Sequence, residues 1–135
     1  MGKYDILFKY IDLLADDAFG ELFIDKKNDA SEKRRIRLPY IRYTQAVNDF
    51  IRDIHLCWEK SGLGDYVRVL NSHGIEWSGE SMKNADVDSL PADTILALLF
   101  GAVRAERFNE GVLMGFLKNG YIQKWLSGLK RKVEE

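Results

Sequence analysis

The last forty residues do most to limit what this chain can become. From Ile95 to Val103 no charged residue occurs, and apolar positions continue through Ala105, Phe108, Val112 and Phe116 to Trp125 and Leu126. This helical stripe is interrupted by two arginines and two acids (Arg104, Glu106, Arg107, Glu110). It also carries Gly101, Gly111 and Gly115 where a helix ordinarily avoids glycine. A glycine inside a helix costs about 1 kcal/mol relative to alanine. Close packing of another helix, or of a ligand, against the bare backbone is the usual offset. The stretch therefore describes architecture more than chemistry.

The rest of the chain follows the same period. Leu7, Tyr10, Ile11 and Leu14 mark one face of a first helix, and Phe19, Leu22 and Phe23 follow past Gly20 in a turn or second helical piece. Residues 25–33 crowd Lys26, Lys27, Asn28, Asp29 and Ser31 and read as a surface loop. Pro39 suits the first turn of a helix, and Val47, Phe50, Ile51, Ile54 and Trp58 give it one apolar face until Ser61-Gly62. Leu63, Tyr66, Val67 and Leu70 mark a shorter helix. Residues 75–88 have no period and read as a loop anchored by Ile75 and Trp77. A helix from Leu90 or Pro91 to about Val103 follows. Beyond it, either one long helix continues or a new one starts near Glu106; the polar Glu106 and Asn109 favour the break. Asn119-Gly120 is a stop. A last helix through Tyr121, Ile122, Trp125, Leu126 and Leu129 ends in a solvated basic tail, 130–135. No run alternates with period two long enough to build a sheet. The fold class is all-α, one domain over 1–135 with five or six helices. A chain of this length buries about two-thirds of its unfolded surface.

Composition narrows the function classes. Hydrophobic content of 46% and charged content of 30% are those of a folded globular chain, which excludes wholesale disorder. The single cysteine, Cys57, reads as a small buried hydrophobe and fits a reducing compartment. Acids interrupt the N-terminal segment too early for a secretory signal, and Ile6 occupies the position where myristoylation needs Ser or Thr. The longest apolar run is far short of the roughly 20 residues of a membrane span. A soluble, cytoplasmic protein without membrane contact is expected.

No metal or cofactor is expected. His55 and Cys57, two apart, lie on nearly opposite sides of a helix, His73 stands alone, and no CxxC, HExxH or phosphate-binding glycine loop occurs. The basic segment Lys33-Arg34-Arg35-x-Arg37 with Tyr40, Arg42 and Tyr43 is the only nucleic-acid candidate. A net charge of −1 ranks that reading last.

The group Arg104-x-x-Arg107-Phe108-x-x-Gly111 carries more. On a continuous helix Arg104, Arg107 and Gly111 share one side, where two guanidiniums beside a bare backbone grip a phosphate or carboxylate. Glu106 and Glu110 are then candidate acid/base groups. The alternative is structural: the arginines pair with acids such as Glu110 and tie the last helices to the body. Gly111-x-x-x-Gly115 reads as a tight crossing against the Trp125 or Phe50 helix.

At these residues the chain resembles an uncharacterised bacterial family known only as a domain of unknown function. The likeness covers about two-thirds of the chain, chiefly Trp77 to Leu129. It rests on the Leu98-Leu99 run, on Arg104 to Gly111, and on Gly120-Tyr121-Ile122 with Leu126. It extends to Pro39-Tyr40 and to Gly74-Ile75 with Trp77. Members often carry Cys where this chain has Asn109, so a thiol function of that position does not apply. The resemblance implies a small helical domain and brings no activity. The expected function is a binding or interaction module for an unknown protein or anionic small molecule, with Arg104, Arg107, Phe108, Glu110, Gly111 and Trp77 as its recognition surface. The alternative is an enzyme or binder acting on an anionic small molecule through the Arg/Glu cluster.

Overall fold

A computed structural model describes residues 4–14, 20–23, 40–109 and 111–134. Its helices are α1 (Asp5–Leu13), α2 (Gln45–Ser61), α3 (Tyr66–Asn71), α4 (Gly79–Lys83), α5 (Ala92–Ala105), α6 (Val112–Lys118) and α7 (Tyr121–Glu134). A 3-10 turn spans Val87–Ser89, and strands β1 (Gly20–Phe23) and β2 (Tyr40–Tyr43) precede α2. The body is all-α, as the periodicity requires.

Helix α5 is its axis. Every residue from Thr94 to Val103 is buried, and a helix apolar on all sides must be covered on all sides. Helices α7, α3, α2 and α6 supply that cover. Helix α7 approaches closely because of Gly128: a Cβ there would lie 2.3 Å from Cγ1 of Val87. Helix α1 packs on α7 and α2. There the Tyr10 hydroxyl donates to the buried Asp53 carboxylate, with Lys9 at 3.7 Å and Arg52 at 3.4 Å as counter-charges. Burial, then the bond to Asp53, raises the Tyr10 pKa. Tyr4 joins α1 to the start of α5 by donating to Asp93 at 2.6 Å.

The chain's punctuation explains the element ends. The Thr44 hydroxyl accepts from Val47 N–H to start α2, and Gly62 at φ 71° ends it. Asp65 caps α3 in the same way, and Gly120 at φ 81° separates α6 from α7. The stop expected at Asn119-Gly120 therefore stands, as does the break after α5.

Three local expectations are corrected. Tyr40–Tyr43 is a strand rather than the opening turn of a helix, and it pairs antiparallel with Gly20–Phe23 in the register Gly20↔Tyr43 to Phe23↔Tyr40. Four residues of alternation are too few to stand out from helical spacing, and the pairing across the intervening segment has no sequence period. The segment 75–88 holds α4 and a 3-10 turn, each too short to carry a period. Helix α7 continues through the basic tail to Glu134, although Lys130, Arg131 and Val133 stay exposed. The expected loop at 25–33 and the basic residues 33–37 lie outside the described residues. No helix among those described is long and apolar enough to cross a membrane.

Candidate functional site

Gly101 has a neighbour that accounts for it. The indole of Trp77 lies against α5 at this position and donates from Nε1 to the Gly101 carbonyl at 2.9 Å. A Cβ on Gly101 would stand 3.4 Å from Cδ1 of Trp77 and 3.3 Å from Cε of Met82. The missing side chain is thus the seat of Trp77. Its carbonyl can serve both the helix and the indole because it has two lone pairs.

From this seat an array of rings crosses the molecule. Phe100 stacks on Trp58 with centroids 5.1 Å apart and meets Tyr66 and His55 edge-on. Tyr66 meets Trp77 edge-on, and Trp77 meets Phe108 edge-on at 5.8 Å. Such pairs contribute about 0.5–1.5 kcal/mol each beyond area burial. The array begins in the core and ends in solvent, for Phe108 is 72% exposed.

Between Trp77 and Phe108 opens a cleft of about 210 Å³, lined also by Met82, Ala105, Val112 and Phe116 with Ser78, Gly79 and Asn109 at its rim. Its floor comes from α5 and α6, and its wall is α4 with the residues just before it. Helix α4 is set by Ser78, whose hydroxyl accepts from Ser81 N–H. Lys83 leans over the Phe116 and Tyr121 rings at 5.6 and 5.7 Å.

The turn between α5 and α6 sorts the charged residues of the motif. The Glu106 carboxylate accepts from the N–H of Gly111 at 3.0 Å and of Leu113 at 2.9 Å, so it caps α6. Gly111 itself adopts φ 101°, the left-handed region that favours glycine. The new helix therefore starts at Val112 rather than near Glu106, because Glu106 is the cap and needs the intervening turn to reach it.

Arg104 and Arg107 lie elsewhere. Phe100 and Arg104, four residues apart, lie on the side of α5 where Phe100 meets His55 of α2, and Arg107 follows in the turn after Ala105. Arg104 is half-buried and Arg107 exposed. Among the described residues neither has a carboxylate at ion-pair distance; Glu110 lies outside them. Burial first, then the charge of Arg104 and, more weakly, Arg107, lowers the pKa of His55, while Glu59 opposes them.

Of the expected site residues, Trp77 and Phe108 are brought together. Arg104 lies on the neighbouring side of α5, Arg107 follows it in the turn, and Gly111 ends that turn. Gly111-x-x-x-Gly115 is not a crossing: Gly111 owes its place to its φ, and a Cβ on Gly115 would meet nothing within 4 Å. The tight approaches are at Gly101 and Gly128. Sequence reading missed Met82 and Asn109 in the cleft and His55 beside the arginines. The spacing of Ser78 and Ser81 was the available signal for α4. Cys57 is buried, 4% exposed, and burial raises its thiol pKa, which fits a packing role. No group of three or more potential metal ligands occurs among the described residues.

The chain belongs to a family of unknown function, DUF6508, which it matches over residues 2–135. Comparison with curated proteins gives no match. Comparison with solved structures gives none either.

Proposed function

We propose that this DUF6508 member is an interaction module whose cleft between Trp77 and Phe108 receives one aromatic or branched aliphatic side chain of a partner polypeptide. The carrying observation is the exposure of Phe108 at the mouth of a cleft that, among the described residues, is lined by no charged side chain. A large apolar ring left in water beside a recess is unfavourable unless something covers it. The size of the recess argues for a side chain over a metabolite: about 210 Å³ falls below the roughly 300–1,000 Å³ of small-molecule sites. Ser78 and Asn109 at the rim offer hydrogen bonds to a partner's backbone.

The enzyme reading draws less support. It needs a glutamate free to exchange protons beside the arginines; of its two candidates Glu106 is committed to two backbone N–H groups, and Glu110 lies outside the described residues. Cytoplasmic location belongs to the same proposal and is supported by a lone, buried thiol.

A random-peptide display selection against the native chain and against Phe108→Glu tests the reading. Enriched peptides sharing an aromatic or aliphatic anchor should lose binding to the variant while its melting temperature stays close to native. Peptides that bind both proteins equally, or no enrichment at all, would overturn it.

A further inference from the structure

The face of α5 toward α2 has no role in the cleft, and it gathers cations that no carboxylate among the described residues meets at ion-pair distance. The edge-on contact of Phe100 with His55, 5.0 Å between centroids, fixes where this face points. Arg104 follows one turn later. Arg107 comes three residues beyond, in the turn that follows α5, and its N–H bonds to the Arg104 carbonyl at 3.2 Å, a three-residue turn that sets it over Arg104. Two guanidiniums and an imidazole are thus presented from α2, from the last turn of α5 and from the turn after it. Glu59, on the same helix as His55 and one turn on, is the acid facing them, and it pairs with neither arginine. The negative end of the α5 dipole accounts for one cation in its last turn. A second guanidinium beside the first adds repulsion that the dipole does not remove.

We infer that His55, Arg104 and Arg107 form a binding site for a phosphate-type dianion. Guanidinium groups match such an oxyanion with paired N–H donors. The imidazole supplies a further donor and, on protonation, a third charge. His55 is held neutral by burial and by the arginines. A bound dianion reverses the electrostatic part of that effect, so binding draws a proton onto the ring. The site is separate from the cleft, and failure of either assignment leaves the other standing. The phosphate can belong to a free small molecule or to a phosphorylated side chain of a polypeptide.

NMR titration of the His55 imidazole provides the test, using the full chain at constant ionic strength in chloride, with and without inorganic phosphate. Phosphate should raise the apparent pKa of His55. In Arg107→Gln phosphate affinity should fall on the order of tenfold, so the phosphate effect should shrink at a fixed phosphate concentration, and the His55 pKa should rise even without phosphate. Because Arg107 is exposed, this variant should keep the native melting temperature; Arg107→Lys, which retains the charge, should keep part of the effect. A short phosphoserine peptide run in parallel identifies the source. Tighter binding than inorganic phosphate indicates a polypeptide ligand, and equal or weaker binding indicates a free one. A His55 titration that phosphate does not move, or a phosphate effect unchanged in Arg107→Gln, would overturn the site.

Discussion

Between Thr94 and Val103 residue after residue is buried, whereas five positions further on Phe108 is 72% exposed, although the same apolar stripe runs through both. What separates them is the cover each receives. The first stretch is enclosed by α7, α3, α2 and α6. The second turns away at Ala105, crosses to α6 through Gly111, and among the described residues has Trp77 as the one ring against Phe108. Apolar content alone therefore does not mark a core. In the first stretch a side chain contributes to stability, and in the second it is available to a partner.

Truncation should separate the two most sharply. Leu96, fully buried, should lose about 2–5 kcal/mol on replacement by alanine, since a cavity is left in close-packed surroundings. Phe108→Ala should lose no more than about 1.5 kcal/mol, the worth of an edge-on ring pair. Urea titrations of both variants check this. Equal losses would mean that the exit from α5 belongs to the core and is no binding surface.

Glycine substitutions sharpen the same contrast. Gly128→Ala forces a methyl into Val87 and should cost about 1–3 kcal/mol. Gly115→Ala enters open space within α6 and should gain up to about 1 kcal/mol through helix propensity. Thermal melts giving the two the same sign would contradict the placement of the close approach at α7 rather than α6.

Removing the cap at the exit comes next. Glu106→Ala leaves the N–H groups of Gly111 and Leu113 without their acceptor and should cost about 0.5–2 kcal/mol, the usual worth of an N-cap. Hydrogen exchange at these two amides should quicken at the same time. Unaltered protection would show that the carboxylate is free, and would restore Glu106 as a candidate acid/base.

How far the sequence reveals all this depends on the length over which a signal repeats. The apolar faces of α2 and α5 recur over several turns, and their residues are where the period puts them. Strand β2 and helix α4 span four and five residues, and their identity depends on partners distant in the chain. The cleft illustrates the point. Trp77 and Phe108 were recognisable one by one, but Met82 joins them only because α4 folds back over Gly101. The glycine at 101 signalled a close approach without saying to what. Glu106 was misread because a carboxylate five residues before a glycine looks the same whether it caps a helix or waits for a substrate.

The smallest effect concerns charge at the exit, and its sign can be worked out. An imidazole titrates near 6.5 when unfolded, and burial with Arg104 and Arg107 lowers His55 below that value in the native state. At pH values between the two, the unfolded chain binds more protons than the folded one. Stability therefore rises with pH through that window and levels off above about 6.5. Replacing His55 with glutamine should flatten this part of the stability–pH curve without changing the plateau greatly, since the ring is only half-buried. Arg104→Gln should flatten it too, more than Arg107→Gln does, because Arg104 is the stronger of the two influences on the ring. The buried interior of α5, which holds no ionisable side chain from Thr94 to Val103, contributes nothing to this slope. A slope unaffected by all three replacements would show that the charges at the exit are too well screened to act on His55, and would weaken the case for an anion held there.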